Sequence, residues 1–170
     1  MNNFNDIINN RRSIRSYTKD EVEDEKIDKI LRSGMQAPGS RKGSEPHEFI
    51  VVKDPETLEK LGQIKPRVRD CNVAIVLLAN IDRSFYKAVW QQDMSAVAQN
   101  MLLEACNLGL GGLWNGVAPR EEVMNPISKI FNLPDNVKPF CIITLGYPTE
   151  DSTNIFIDKY DPERIHYEKY

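Results

Sequence analysis

Arg11-Arg12-Ser13-Ile14-Arg15 places three guanidinium groups and a hydroxyl within five residues. A guanidinium meets phosphate oxygens as a two-pronged fork, and charge-assisted bonds of this kind are about twice as strong as neutral ones. The run is therefore suited to surround a dianionic phosphate. A solvated basic face following a short helix has the same composition, so spacing alone does not choose between the two. Gly109-Leu110-Gly111-Gly112-Leu113-Trp114-Asn115-Gly116 is the second candidate. Close glycines let backbone approach a flat ligand or turn sharply. It is not a dinucleotide fingerprint, because Trp114 stands where G-x-G-x-x-G requires its last glycine. A plain glycine-rich turn after a helix has the same pattern.

Other reactive side chains form weaker patterns. His47 and His166 are the only histidines, and neither has a second ligand at metal-binding spacing. Ser13 and Ser40 lack a G-x-S-x-G context, so no hydrolase triad is indicated. Asp93 and Glu104 are expected to cap a helix or pair with a cation rather than act as an acid–base couple. Trp90 and Trp114 read as core or interface residues rather than stacking platforms for single-stranded nucleic acid. Cys71, Cys106 and Cys141 sit in apolar contexts with no C-x-x-C pair, and read as buried free thiols of a reducing compartment.

The 170 residues fit one domain (residues 1–170), and 41% hydrophobic with 28% charged residues argues against long disorder. A formal net charge of −3 gives no general affinity for nucleic acid. The start, MNNFNDIINNRR, has no apolar signal core, and no apolar run approaches the roughly 20 residues needed to span a bilayer. A cytoplasmic protein is expected, with no nucleic-acid or membrane partner.

The elements that must position these residues follow from periodicity. Phe4, Ile7 and Ile8 predict a short helix whose polar end carries the arginines. Thr18-Lys19-Asp20-Glu21 has the capping-box pattern and predicts a helix bearing Ile27, Ile30 and Leu31, ended by Ala37-Pro38-Gly39-Ser40. Residues 39–46 are a polar loop and Phe49–Val52 a strand. Asp54-Pro55-Glu56 opens a further helix through Leu58 and Leu61. Val73–Ala79 is a strand buried on both faces. The longest helix is expected from about Tyr86 to Leu108, stopped by Gly109. Leu113–Val117 reads as a short strand, Pro119 with Glu121 and Glu122 as a helix start, and Phe140–Leu145 as a buried strand. The tail after Gly146 carries scattered aromatics without periodicity and is expected to wrap over a neighbour. Helices and strands alternate irregularly, which favours α+β.

Together these segments resemble the nitroreductase family of FMN-dependent oxidoreductases. Arg11-Arg12-Ser13-Ile14-Arg15-Ser16-Tyr17 is similar to its R-R-S-x-R-x-F/Y opening. Ala37-Pro38-Gly39-Ser40 with Pro46-His47-Glu48-Phe49 resembles its A-P-S…Q-P-W-x-F segment. Gln92 to Leu103 resembles its central helix. Gly109 to Pro119 matches G-L-G-x-x-W-x-G-x-x-P, Leu145-Gly146-Tyr147-Pro148 matches a late L-G-Y-P, and the chain ends in a family-like R-x-H-Y-E-K-Y. The matches run in order along nearly the whole chain.

The resemblance implies a nitroreductase-like α+β fold with a central mixed sheet flanked by helices, in a domain-swapped homodimer with FMN at the interface. It implies that Arg11, Ser13 and Arg15 hold the FMN phosphate and ribityl chain, with Arg12 a helper and Lys159 completing the site. Pro38, Gly39 and Ser40 would line the flavin from the partner subunit, and Asn115 and Gly116 would present backbone near its ring. The 39–45 loop departs from the family pattern. It lacks the usual asparagine and glutamine, is one residue longer, has Gly39 where serine is common and is followed by His47 where tryptophan is common.

The activity implied is ping-pong reduction of a nitroaromatic or quinone acceptor by NADH or NADPH, with hydride passing through flavin N5 and no catalytic side chain. Alternatives on the same fold are a flavin-dependent dehydrogenase or dehalogenase, or a non-enzymatic FMN-binding protein.

Overall fold

A four-stranded sheet lies between two layers of helix in the computed structural model, which describes residues 3–170. The elements in chain order are α1 (Phe4–Asn10), α2 (Asp24–Met35), β1 (His47–Val52), α3 (Pro55–Ile64), β2 (Val73–Asn80), α4 (Trp90–Asn107), β3 (Gly111–Gly116), α5 (Glu121–Ile130) and β4 (Val137–Gly146). Strand order is β1-β2-β4-β3.

Period-two alternation in β2 builds both layers. Val73, Ile75, Leu77 and Ala79 face α2 and α4, where they meet Ile27, Ile30, Met94, Val97 and Met101. Ala74, Val76 and Leu78 face the other way, onto Leu58 and Leu61 of α3 and Val123 and Ile127 of α5. Each large side chain buried this fully contributes about 1.5–3 kcal/mol relative to exposure. A bulge in β4 opposite Leu77 and Leu78 puts Phe140 on the same face as Cys141. The Phe140 ring then packs edge-on between Trp90 (5.8 Å) and Trp114 (5.4 Å).

Three expectations are corrected. The sheet is not mixed: all three strand pairings are antiparallel, and the parallel pairing among the described residues is a single bridge between Ser13 and Gly112. Helices on both faces bury strands of either direction, so apolar runs do not encode direction. The capping box at Thr18 does not form. The Thr18 hydroxyl donates to Asp20 (2.7 Å), and α2 begins at Asp24 behind Glu23, which makes no side-chain cap. The chain there stays extended because Thr18 N–H donates to the Tyr147 carbonyl (2.8 Å) and Val22 is fully buried. Finally, α4 starts at Trp90 rather than Tyr86, because Ser84 and Phe85 spend their N–H groups on Ile81 O and Ser44 Oγ.

Other elements match the sequence closely. Asp54 accepts from Thr57 N–H (2.9 Å) at the start of α3, and Gly109 leaves α4 at φ +78°. All three cysteines are buried and free. The tail after Gly146 has one 3₁₀ turn, Pro162–Arg164, and exposes Phe156, Tyr160, Tyr167 and Tyr170. No helix among the described residues is long and apolar enough to cross a membrane.

The buried acids fix a pH limit. Burial pushes the Cys71 thiol up to about 12, and raises Cys141 and the Tyr17 phenol strongly too. Unfolded thiols ionise near 8.5, so above that pH the unfolded chain holds fewer protons than the folded one. The stabilisation is complete below pH ~8.5 and is lost progressively as pH rises toward the folded values. Denaturant midpoints recorded from pH 7 to 11 should stay level to about 8 and then fall. A flat profile through pH 11 would contradict this account.

Candidate functional site

The arginine run leaves α1 in an extended conformation and lies against the free edge of β3. Ile14 N–H donates to the Gly112 carbonyl (3.1 Å), and Ser13 pairs with Gly112 in the parallel bridge. A Cβ at Gly111 would lie 2.6 Å from Ile14 Cγ2, so glycine there is what lets the segment approach. Ile14 is 1% exposed and anchors the segment in the core. Extended backbone alternates its side chains, so burying Ile14 turns Ser13 and Arg15 outward together.

Arg11, Arg12 and Lys159 line one cleft of about 350 Å³ with Gln99, Phe156 and Tyr160. The positive charges of Arg11 and Arg12 reach the Cys106 thiol, where they oppose the upward shift caused by burial. Arg12 is otherwise engaged. Its guanidinium donates to the carbonyls of Arg11 (2.6 Å) and Asn9 (2.7 Å), closing the end of α1. Arg15 donates to the Ser13 carbonyl (3.1 Å) and remains exposed. Lys159 is exposed on the tail.

Asn154 was not singled out from sequence, yet it joins these parts. Its side chain accepts from Arg12 N–H (2.9 Å) and donates to the Leu110 carbonyl (3.1 Å), tying the tail to both motifs. A lone asparagine in an aperiodic tail carries no sequence signal for this.

The glycine-rich segment is a turn plus strand β3. Peptide groups alternate along a strand, so those of Trp114 and Gly116 face the same open edge as Gly112. Arg120 donates to the Gly116 carbonyl from that side (3.0 Å). The Asn115 side chain is buried and donates to Ile142 O (3.2 Å), so Asn115 offers the edge no side-chain group. A Cβ at Gly116 would meet nothing within 4 Å, which leaves open space beside this backbone. A basic segment beside a strand edge that β4 does not cover suits a phosphorylated planar ligand such as FMN.

Pro38, Gly39 and Ser40 are exposed and stand elsewhere, at the loop joining α2 to β1. The loop closes tightly on itself: a Cβ at Gly39 would lie 2.1 Å from the Ser44 carbonyl oxygen, which accounts for glycine in place of serine. Ser40 N–H (2.7 Å) and the Ser44 hydroxyl (2.9 Å) both donate to Asp93 of α4. His47 starts β1 at the base of this loop in a recess with Glu45, Glu48 and Arg83. Burial and the nearby Arg83 charge lower its pKa against the opposing pull of Glu45, which favours the neutral imidazole.

The loop and the arginine run meet α4 at different levels. The loop is held at Asp93 in the first turn, whereas the arginine cleft includes Gln99 and α1 reaches Cys106. Asp93 and Cys106 are about 20 Å apart at 1.5 Å per helical residue.

Comparison with known proteins identifies a family. The Nitroreductase family model matches residues 8–65 and 63–147. A Methanothermobacter thermautotrophicus protein, provisionally named an NADH dehydrogenase/NAD(P)H nitroreductase, is 43% identical over 96% of this chain and 85% of its own length. A solved Clostridium acetobutylicum structure, provisionally named an NADH oxidase, superposes with a TM-score of 0.93 at 48% identity, covering 96% of this chain and 99% of that one. The structure of an FMN-dependent nitroreductase from Clostridium difficile gives a TM-score of 0.87 at 33% identity, covering 96% and 98%. With the arginine run seated beside the glycine-rich strand, this chain belongs to the nitroreductase family.

Proposed function

We propose that the chain is an FMN-dependent NAD(P)H oxidoreductase that reduces flat, electron-poor acceptors such as nitroaromatics and quinones at sites shared by two copies of the chain. The observation that carries the reading is the Ser13–Gly112 bridge, which joins the phosphate-binding segment to an open strand edge. Bound flavin supplies hydride acceptance and donation at N5.

The protein's part is binding and orientation. Arg11, Ser13 and Arg15 hold the phosphate and ribityl chain, and Lys159 adds charge from the tail. Arg12 supports them by closing the end of α1 on its own carbonyls. Asn115 and Gly116 bring backbone close to the ring. The outward N–H groups of Trp114 and Gly116 stabilise negative charge there, as aimed backbone dipoles do. Pro38, Gly39 and Ser40 complete the site from the second copy. Exposed Phe4, Ile8, Met35 and Phe156 supply apolar surface for that pairing.

The purified protein should be yellow and dimeric, bleach on addition of NADH or NADPH under argon, and recover its colour with a nitroaromatic or quinone. Bound flavin that bleaches with neither nucleotide removes the reductase assignment. A monomer with stoichiometric flavin removes the shared site.

A further inference from the structure

We propose that Asp93 is a positioning residue for the flavin site: it latches the 38–45 loop, which on the function proposed above reaches into the partner's site. The inference deepens that reading and rests on it. Asp93 is 5% exposed and forms no ion pair among the described residues. A buried carboxylate without a cation is tolerated only when donors surround it. Here every donor comes from one loop, about fifty residues earlier in the chain. Ser40 N–H donates to Oδ1 (2.7 Å), while the hydroxyls of Ser40 (3.2 Å) and Ser44 (2.9 Å) donate to Oδ2.

The loop's other support is one bond at its end, Glu45 N–H to Arg83 O (3.3 Å), and contacts around Ser44 and Arg41. Ser44 N–H donates to Arg41 O (2.9 Å) across a turn containing Gly43 at φ +86°. Its hydroxyl also accepts from Phe85 N–H (3.2 Å), and the Arg41 guanidinium lies 4.1 Å from the Phe85 ring. Asp93 therefore connects the loop, the 84–89 segment and the rigid start of α4. Ser40 spends its N–H and its hydroxyl hydrogen on Asp93, so it keeps only acceptor oxygens for a ligand beside the exposed Pro38 and Gly39. The carboxylate decides where these residues stand.

Asp93→Asn keeps the volume and the acceptor for Ser40 N–H, but replaces the charged Oδ2 acceptor with a donor. Amide hydrogen exchange over residues 38–45 of the flavin-free protein reads the latch without reference to cofactor. Exchange there should accelerate by roughly tenfold or more, the scale of losing one charge-assisted bond, while α2, β2 and the body of α4 keep their protection. The FMN dissociation constant should rise by roughly tenfold.

Ser40→Ala and Ser44→Ala should reproduce part of each effect, and provide the test should Asp93→Asn not fold. In double variants Asp93→Asn should be non-additive with Ser40→Ala and additive with Arg11→Ala for FMN affinity. Unchanged exchange over 38–45 overturns the latch whatever happens to flavin. Faster exchange with unchanged FMN affinity overturns the link between latch and site, and leaves the phosphate assignment to its own test at Arg11 and Arg15.

Discussion

Alanine at both Arg11 and Arg15 is expected to raise the FMN dissociation constant by at least about a hundredfold, leaving protein that purifies nearly colourless. Hydrogen bonds to charged groups are worth about 1.5–3 kcal/mol each, and every 1.4 kcal/mol is tenfold in affinity. Neither side chain is buried, so their removal leaves no large cavity and the fold should persist. Arg11→Lys should fall between, since it keeps the charge but loses the fork. Arg12→Ala separates the roles. Its guanidinium serves carbonyls of Asn9 and Arg11, so its loss should lower thermal stability as well as affinity. Fluorescence titration of stripped protein with FMN and riboflavin provides the measurement. The double variant should approach equal affinity for both ligands, because only FMN carries the phosphate. An undiminished preference for FMN would refute the phosphate assignment.

Ile14→Ala is expected to destabilise the protein by about 2–5 kcal/mol, the range for truncating a fully buried aliphatic side chain to alanine. Ile14 is 1% exposed and touches Gly111, where the β3 backbone has no side chain to fill the gap. The lost atoms also loosen the register that sets Ser13 beside Gly112, so FMN affinity should fall although no ligand contact is removed. Urea unfolding with and without FMN checks both parts. A loss below 1 kcal/mol would mean that the segment is held by its backbone bonds alone.

Much of this arrangement was legible in the residues. Two-sided burial of β2 followed from an apolar β-branched run, and the α3 start followed from Asp54-Pro55. The arginine run and the glycine strand announced themselves by type and spacing. Their contact did not, because one backbone bridge between residues about a hundred positions apart has no local signature. Strand direction is not encoded in the apolar runs, because helices cover both faces of the sheet. The Thr18 box was overridden by burial of Val22 and by the Tyr147 carbonyl. Its residue type suggests that Asp93 is a cap or salt-bridge partner, yet its position carries a usable warning. It falls on the stripe of Trp90, Met94 and Val97, where a carboxylate has no water and must find donors elsewhere in the fold.

The separation of the 38–45 loop from the arginine run along α4 has a thermodynamic consequence. In the proposed pairing, a solitary chain holds two separate half-sites, and neither encloses the ring. Cofactor uptake and self-association are then linked equilibria, each strengthening the other by the same factor. Serial dilution should release pigment and split the assembly in parallel, and excess FMN should shift both transitions to lower protein concentration.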